Sequence, residues 1–149
     1  MKYLKRFNQI NDGYDYRLFQ DETKKGEEIN YYFNDDFGNQ FNVNFKFIDE
    51  DSCIMLYNVY DKETNDWGFN LVKTNIYKLF ETVFKYILND FISKNKWCNR
   101  IEMTGLGKKV EKDEITQRTK AYIRYLMNNP IKGWVLEHYI NEITLIKET

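Results

Sequence analysis

The residues with the clearest potential for chemistry lie in a lysine-containing loop, GLGKK, at positions 105–109. Glycines followed by lysine are typical of loops that hold phosphate groups. A P-loop, however, needs the spacing GxxxxGK[ST] running directly from a strand into a helix, and that spacing is missing here. The pattern therefore predicts a turn at the end of a strand. The basic residues that follow are interrupted by Glu111, Asp113 and Glu114, which argues against a nucleic-acid groove.

Neither the histidine nor the cysteines predict a reactive site. His138 is the only histidine and has no second ligand at metal spacing, so no metal site is predicted. Cys53 and Cys98 are far apart in the sequence and give no support for a disulfide. Each lies in a segment that we predict to be a strand, where a free cysteine acts as a small hydrophobic residue. No nucleophile with an adjacent base is predicted either.

The composition predicts one domain with an aromatic core, because the chain has 149 residues and 17% of them are aromatic. Residues 1–66 carry 14 acidic and 8 basic side chains, whereas residues 67–149 carry 9 acidic and 14 basic ones. An anionic partner would thus be attracted to the C-terminal half. No apolar run resembles a signal peptide or a membrane span, so we expect a cytoplasmic protein without a membrane partner. Scarce alanine and proline indicate an AT-rich genome, such as that of a bacteriophage or a low-GC bacterium.

The first half of the chain is predicted to consist of strands. Residues 14–19 and 28–33 are short strand candidates, and residues 41–47 alternate between apolar and polar side chains, as a half-buried strand does. Residues 53–60 (CIMLYNVY) are apolar on both faces. This pattern predicts a central strand that is covered on both sides.

The hydrophobic period then changes to that of a helix, which Thr74 can cap and which is predicted over residues 74–93. Its predicted buried stripe consists of Ile76, Phe80, Val83, Phe84, Ile87 and Phe91, and Leu79, Tyr86 and Leu88 widen it. The later elements are a strand over 97–104, a helix over 113–128 and strands over 134–139 and 143–147. The predicted order is β-β-β-β-α-β-α-β-β, an α+β fold with a mixed sheet. Because a helix connects them, strands 53–60 and 97–104 are predicted to be parallel neighbours.

The C-terminal half contains IYKLFETVFKYILNDFI, then RIEMT, QRTKAYIRYL and GWVLEHYINEITLIK. This succession, over about residues 70–149, resembles that of uncharacterised GNAT-like (N-acyltransferase-fold) bacteriophage proteins. The resemblance implies a meander followed by a strand, a CoA-binding helix, a strand, a second helix and two final strands. In the active enzymes of this fold a tyrosine on the second helix can serve as general acid, and Tyr122 is the nearest match.

The loop that holds the cofactor in GNAT enzymes is where this sequence departs from them. Those enzymes place an Arg/Gln-x-x-Gly-x-Gly/Ala loop before the helix, and its backbone N–H groups bind the pyrophosphate of CoA. The corresponding residues 61–74 (DKETNDWGFNLVKT) contain a single glycine, Gly68, together with bulky Trp67 and Phe69 and several acidic side chains. We therefore predict that no cofactor is bound.

These features predict a non-catalytic GNAT-like protein that acts through protein–protein contacts with a host protein, a defence protein or another virion component. One alternative is an acetyl-CoA-dependent N-acyltransferase with a degenerate cofactor site, in which Tyr122 is catalytic. Another is a protein that binds a small anionic ligand, such as a nucleotide, in the gap between strands 53–60 and 97–104. The residues predicted to bind that ligand are Lys108, Lys109, Arg118 and Tyr122.

Overall fold

The computed structural model describes residues 2–5, 13–20, 28–63, 66–68, 74–104 and 115–149. These residues form a mixed β-sheet and two helices. The strands are β1 (Lys2–Lys5), β2 (Tyr16–Gln20), β3 (Glu28–Asn34), β4 (Gln40–Phe47), β5 (Ser52–Asp61), β6 (Asp66–Gly68), β7 (Arg100–Thr104), β8 (Trp134–Tyr139) and β9 (Glu142–Lys147). Helix α1 has three consecutive parts, α-helical Ile76–Phe80, π-helical Glu81–Ile87 and α-helical Leu88–Lys94, and helix α2 spans Gln117–Asn128.

The strands lie in the order β1-β2-β3-β4-β5-β7-β9-β8, and β6 pairs beside β5. Strands β1 to β5 form an antiparallel meander, β5 and β7 are parallel, and β9 is antiparallel to both β7 and β8. The predicted α+β class and the predicted parallel pair are therefore confirmed. Strands β1 and β6, of four and three residues, were not predicted.

Both helices pack on the same face of the sheet. Phe91 of α1 stacks on Phe45 of β4 with ring centroids 3.9 Å apart. Tyr122 of α2 lies edge-on to Tyr57 of β5 at 6.3 Å. Phe45 pairs with Met55 in the β4–β5 ladder, so Phe45, Met55 and Tyr57 point to the same side.

On the opposite face of the sheet no helix lies among the described residues, and the outward side chains of β5 are less buried than the prediction of a strand covered on both sides required. Ile54 and Leu56 on this face are only half-buried. The neighbouring strand β4 carries Asn42 and Asn44 on this face, and both are buried, although the alternation predicted a strand with one face in solvent. Four asparagines form a hydrogen-bonded cluster there: Asn42 and Asn44 donate to Asn30 at 3.1 and 2.8 Å, and Asn58 donates to Asn42 at 3.4 Å.

Helix α1 begins at Ile76, two residues later than predicted. Its N-cap is Asn75, not Thr74, and the Asn75 side chain accepts a hydrogen bond from the Lys78 N–H at 3.1 Å. Ile76 is 53% exposed and Phe80 is only half-buried, which corrects the predicted stripe at two positions. Val83, Phe84, Ile87 and Phe91 are buried as predicted.

The π-helical part explains why the predicted stripe was too narrow. Four successive residues, 81–84, are all buried there, which one face of a regular α-helix does not allow. Glu81 accepts a hydrogen bond from the Tyr125 hydroxyl of α2 at 2.7 Å. On another side, the Thr82 hydroxyl accepts from the Tyr14 N–H at 2.7 Å. The π segment thus contacts α2, the sheet and the chain before β2.

Helix α2 begins at Gln117, four residues later than predicted. Thr116 caps it by accepting a hydrogen bond from the Thr119 N–H at 3.0 Å. Asn141, in the turn between β8 and β9, accepts from the Thr116 N–H at 2.9 Å and from the Thr119 hydroxyl at 2.7 Å. These bonds fix the first turn of α2 against the end of the sheet. The helix ends at Asn128, as predicted.

A buried polar network lies beneath the C-terminal end of α1. The Tyr31 hydroxyl donates to Asp90 at 2.8 Å, and Lys94 forms an ion pair with the same carboxylate at 3.1 Å. Tyr16 lies beside Tyr31, with ring centroids 5.7 Å apart. Burial raises the pKa of Tyr31 and of Tyr16 far above the usual value of 10, and the negative charge of Asp90 adds to the effect.

The segment between α1 and β7 is a turn and not part of the strand. Strand β7 begins at Arg100 rather than at residue 97, because Asn95–Asn99 form a turn after α1. Cys98 therefore lies in this turn and not in a strand, which corrects its predicted position.

Within the part of the chain described, neither helix combines the length and the apolarity that a membrane crossing requires.

Candidate functional site

The parallel strands β5 and β7 separate after a short stretch and leave a gap. They pair only through Ser52–Ile54 of β5 and Arg100–Glu102 of β7, whereas β5 continues to Asp61. Crevices beyond the carboxyl ends of parallel strands are common ligand sites in α/β sheets. This gap is therefore the candidate functional site.

Strand β6 closes part of the gap. It pairs antiparallel with β5 on the side of β7. In this ladder Val59 is opposite Gly68, Tyr60 is opposite Trp67 and Asp61 is opposite Asp66. The backbone of Gly68, the glycine of the loop after β5, is therefore part of a sheet ladder. Only residues 55–58 of β5 lie between the section paired with β7 and the section paired with β6.

Side chains from the sheet and from both helices fill the remaining space. The cavity has a volume of about 20 Å³, room for roughly one water molecule. Its lining is apolar and aromatic: Met55, Leu56, Tyr57, Val83, Phe84, Met103 and Tyr122. Tyr122 is the central ring, with centroids 5.4 Å from Phe84, 5.5 Å from Phe80 and 6.3 Å from Tyr57.

Two tyrosines, Tyr57 and Tyr122, line this cavity, and the guanidinium of Arg118 lies over the ring of Tyr57. Arg118 lies one turn before Tyr122 on α2, and its guanidinium carbon is 6.0 Å from the centroid of the Tyr57 ring. Burial raises the pKa of Tyr122 well above 10, the proximity of Tyr57 raises it further, and the charge of Arg118 opposes this. Burial likewise raises the pKa of Tyr57, again opposed by Arg118. Both phenols thus stay protonated and can act as hydrogen-bond donors at neutral pH.

The Tyr122 hydroxyl forms no hydrogen bond with the residues that the structure describes. Tyr122 is 4% exposed and lines the cavity. Its hydroxyl is therefore placed to bond a molecule that enters the gap.

The other side of the same gap has a different chemical character. A cavity of about 160 Å³ there is lined by Ile54, Glu102, Met103, Glu142, Ile143 and Thr144. Arg100 forms an ion pair with Glu102 at 3.7 Å. With two carboxylates and one compensating guanidinium, this side does not favour an anion.

The predicted site residues divide into two groups. Tyr122 lines the cavity, and Arg118 lies one turn before it on α2, over the Tyr57 ring. Lys108 and Lys109, together with residues 64–65 and 69–73 of the predicted cofactor loop, lie outside the described residues. At the start of that loop Asp61 accepts a hydrogen bond from the Glu63 N–H at 2.9 Å, so its carboxylate stabilises a tight turn.

Sequence reasoning missed Tyr57, whose apolar neighbours in β5 gave no sign of a polar role.

No family model, curated protein or solved structure matches this chain.

Proposed function

We propose that this chain is a non-catalytic protein of GNAT-like topology that acts through contacts with another protein. The succession β5-α1-β7-α2-β8-β9 after a meander supports the topology, because it follows the order expected of that fold. The filled gap carries the proposal of lost catalysis. A cavity of about 20 Å³ is far too small for an acyl-CoA, and β6 occupies the adjoining edge of β5.

An exposed apolar patch near the open end of the gap supports a protein partner. It consists of Phe37, Ile76 and Tyr77, which are 52%, 53% and 64% exposed. Asp36 and Lys78 form an ion pair at 3.5 Å that joins the β3–β4 turn to the first turn of α1. The three apolar side chains therefore share one end of the molecule. Exposed aromatic residues that lie together are typical anchors of protein interfaces.

Titration with acetyl-CoA tests the loss of catalysis. We expect a dissociation constant no tighter than about 1 mM, since the pyrophosphate would need several converging backbone N–H groups. Instead, the backbone of Gly68 pairs with that of Val59 in the ladder between β5 and β6. Isothermal titration calorimetry at moderate salt measures this directly. A micromolar value would contradict the proposal, and Tyr122→Phe would then be assayed for lost acyl transfer.

Substitution of the patch tests the partner contact. The double variant Phe37→Ser/Tyr77→Ser should capture at least tenfold less of the partner protein from a lysate of the native host, because buried aromatic anchors supply much of the energy of an interface. Met127→Ser is the matched control. Met127 is 68% exposed and lies near the C-terminal end of α2, outside the patch. The control should capture as much as the wild type. Equal capture by the double variant would show that the patch is not the contact surface.

A small anionic ligand is the second candidate function. The observation in its favour is the unbonded Tyr122 hydroxyl beside Tyr57 and Arg118, two phenol donors and a cation around one cavity. Binding would require the aromatic side chains to move apart, since the cavity now holds about one water molecule. The same calorimetric titration with ATP separates the two functions. Micromolar binding that Arg118→Gln abolishes would support the ligand site.

A further inference from the structure

The fold brings Cys53 and Cys98 into contact although 45 residues separate them in the sequence. Their Sγ atoms lie 3.7 Å apart, and both residues are free thiols with exposed fractions of 0% and 1%. Cys53 belongs to β5, and Cys98 to the turn between α1 and β7. A small movement of the two side chains would bring the sulfur atoms to bonding distance.

The pair lies at the narrowest junction in the sheet. Among the described residues, strands β1 to β6 are joined to strands β7 to β9 by the β5–β7 ladder, which has three residue pairs. The N–H groups of Asn99 and Arg100 add hydrogen bonds to the carbonyl oxygen of Asp51. Cys53 is in the central one, opposite Ile101. A covalent bond at this position would fasten the two parts of the sheet where fewest hydrogen bonds hold them.

We propose that Cys53 and Cys98 are a redox-active pair, which hydrogen peroxide converts into a disulfide that fastens β5 to the segment entering β7. This inference does not depend on the proposed function, because it needs neither the gap nor a partner. It assigns a modification site to two residues that the sequence presented only as small hydrophobic side chains.

We expect Cys98 to react first, because it lies in a turn whereas Cys53 is held in the β5–β7 ladder. The hydrogen bond from Cys53 holds the pKa of Cys98 below its usual value, and the nearby charge of Lys147 contributes in the same direction. That same hydrogen bond, together with burial, raises the pKa of Cys53. Lys147 also fixes the turn that contains Cys98, through bonds to the carbonyl oxygens of Asn99 at 2.8 Å and Lys96 at 3.2 Å. Release of this turn from the end of β9 gives peroxide access to the sulfur.

The reaction balances with one molecule of peroxide. The Cys98 thiolate attacks a peroxide oxygen, so that an S–O bond forms, the O–O bond breaks and the hydroxide that leaves is protonated to water. The sulfur of Cys53 then attacks the sulfenic acid. The S–S bond forms, the S–O bond breaks, and the second hydroxide leaves as water with the proton of Cys53. Two thiols and one peroxide thus give one disulfide and two water molecules, and dithiothreitol reverses the change.

Intact-mass spectrometry of the purified full chain tests the proposal. After treatment with hydrogen peroxide, the monomer should lose about 2 Da and take up no iodoacetamide, whereas the reduced chain should take up two labels. Cys53→Ser and Cys98→Ser should each show no such loss. The oxidised wild type should also melt about 5–10 °C higher than the reduced chain, because the disulfide closes a loop of 45 residues.

Peptide mapping of the wild type keeps the test decisive if a serine variant fails to fold. A linked pair of peptides that contains Cys53 and Cys98, formed in the monomer and removed by dithiothreitol, is the expected result. Two freely labelled cysteines after peroxide treatment, or disulfides only between separate chains, would overturn the proposal.

Discussion

Three buried tyrosines alone are expected to lower the free energy of unfolding by about 4 kcal/mol between pH 9 and pH 11. Tyr16, Tyr31 and Tyr122 are 2%, 0% and 4% exposed, and burial raises the pKa of each above that of an unfolded tyrosine, about 10. In the unfolded chain these phenols lose their protons near pH 10, whereas in the folded chain they keep them. The unfolded state then binds fewer protons, so stability falls as pH rises, by about 1.4 kcal/mol per tyrosine at pH 11.

Urea denaturation at intervals between pH 8 and pH 11 measures this decline. Tyr31→Phe should reduce the decline by about 1.4 kcal/mol at pH 11, because one buried phenol is removed. Tyr139→Phe is the matched control, since Tyr139 is 74% exposed, and its profile should follow that of the wild type. A stability that stayed constant up to pH 11 would show that these tyrosines ionise as readily in the folded chain as in the unfolded one.

Strong periodic patterns in the sequence were sufficient to predict most of the fold. The alternation from Phe41 to Phe47 corresponds to β4, and the stripe from Val83 to Phe91 corresponds to the buried side of α1. The helical segment between two apolar strands predicted the parallel pair β5–β7. These predictions succeed because burial of one face imposes a period of 2.0 or 3.6 on the side chains.

Features without such a period could not be predicted. Strands β1 and β6 are too short to show an alternation, and they exist because neighbouring strands offer free edges. The π segment buries residues of α1 on several sides, among them Glu81, which a helical pattern would place in solvent. The half-burial of the outward side chains of β5 could not be predicted from that strand alone, because its own sequence carries no information on the asparagines of β3 and β4 beside it.

The candidate site was predictable only in part for a related reason. Arg118 and Tyr122 are one helical turn apart, so the sequence alone placed them together. Their proximity to Tyr57, and the contact of Cys53 with Cys98, come from elements far apart in the chain. The closure of the gap depends on β6 and on the packing of Phe84, neither of which has a local signal.

Phe84→Ala is expected to lower the free energy of unfolding by about 3–5 kcal/mol, the usual cost of truncating a buried phenylalanine. Phe84 is 3% exposed and lies at the junction of α1, α2 and the gap. Its ring centroid is 5.6 Å from Phe80, 5.4 Å from Tyr122 and 5.7 Å from Tyr125. Since domains of this size are stable by only about 5–15 kcal/mol, the variant should be close to unfolding. Phe37→Ala, at a residue that is 52% exposed, should cost much less.

Benzene distinguishes a lost cavity wall from a general loss of structure. Removal of the Phe84 ring should enlarge the existing cavity of about 20 Å³ into an apolar space that a small aromatic molecule can enter, as apolar core cavities do. Benzene should therefore raise the melting temperature of Phe84→Ala and leave that of the wild type unchanged, because a ligand that binds only the folded state stabilises it. A loss of stability below about 1 kcal/mol, without any effect of benzene, would show that Phe84 does not close the gap.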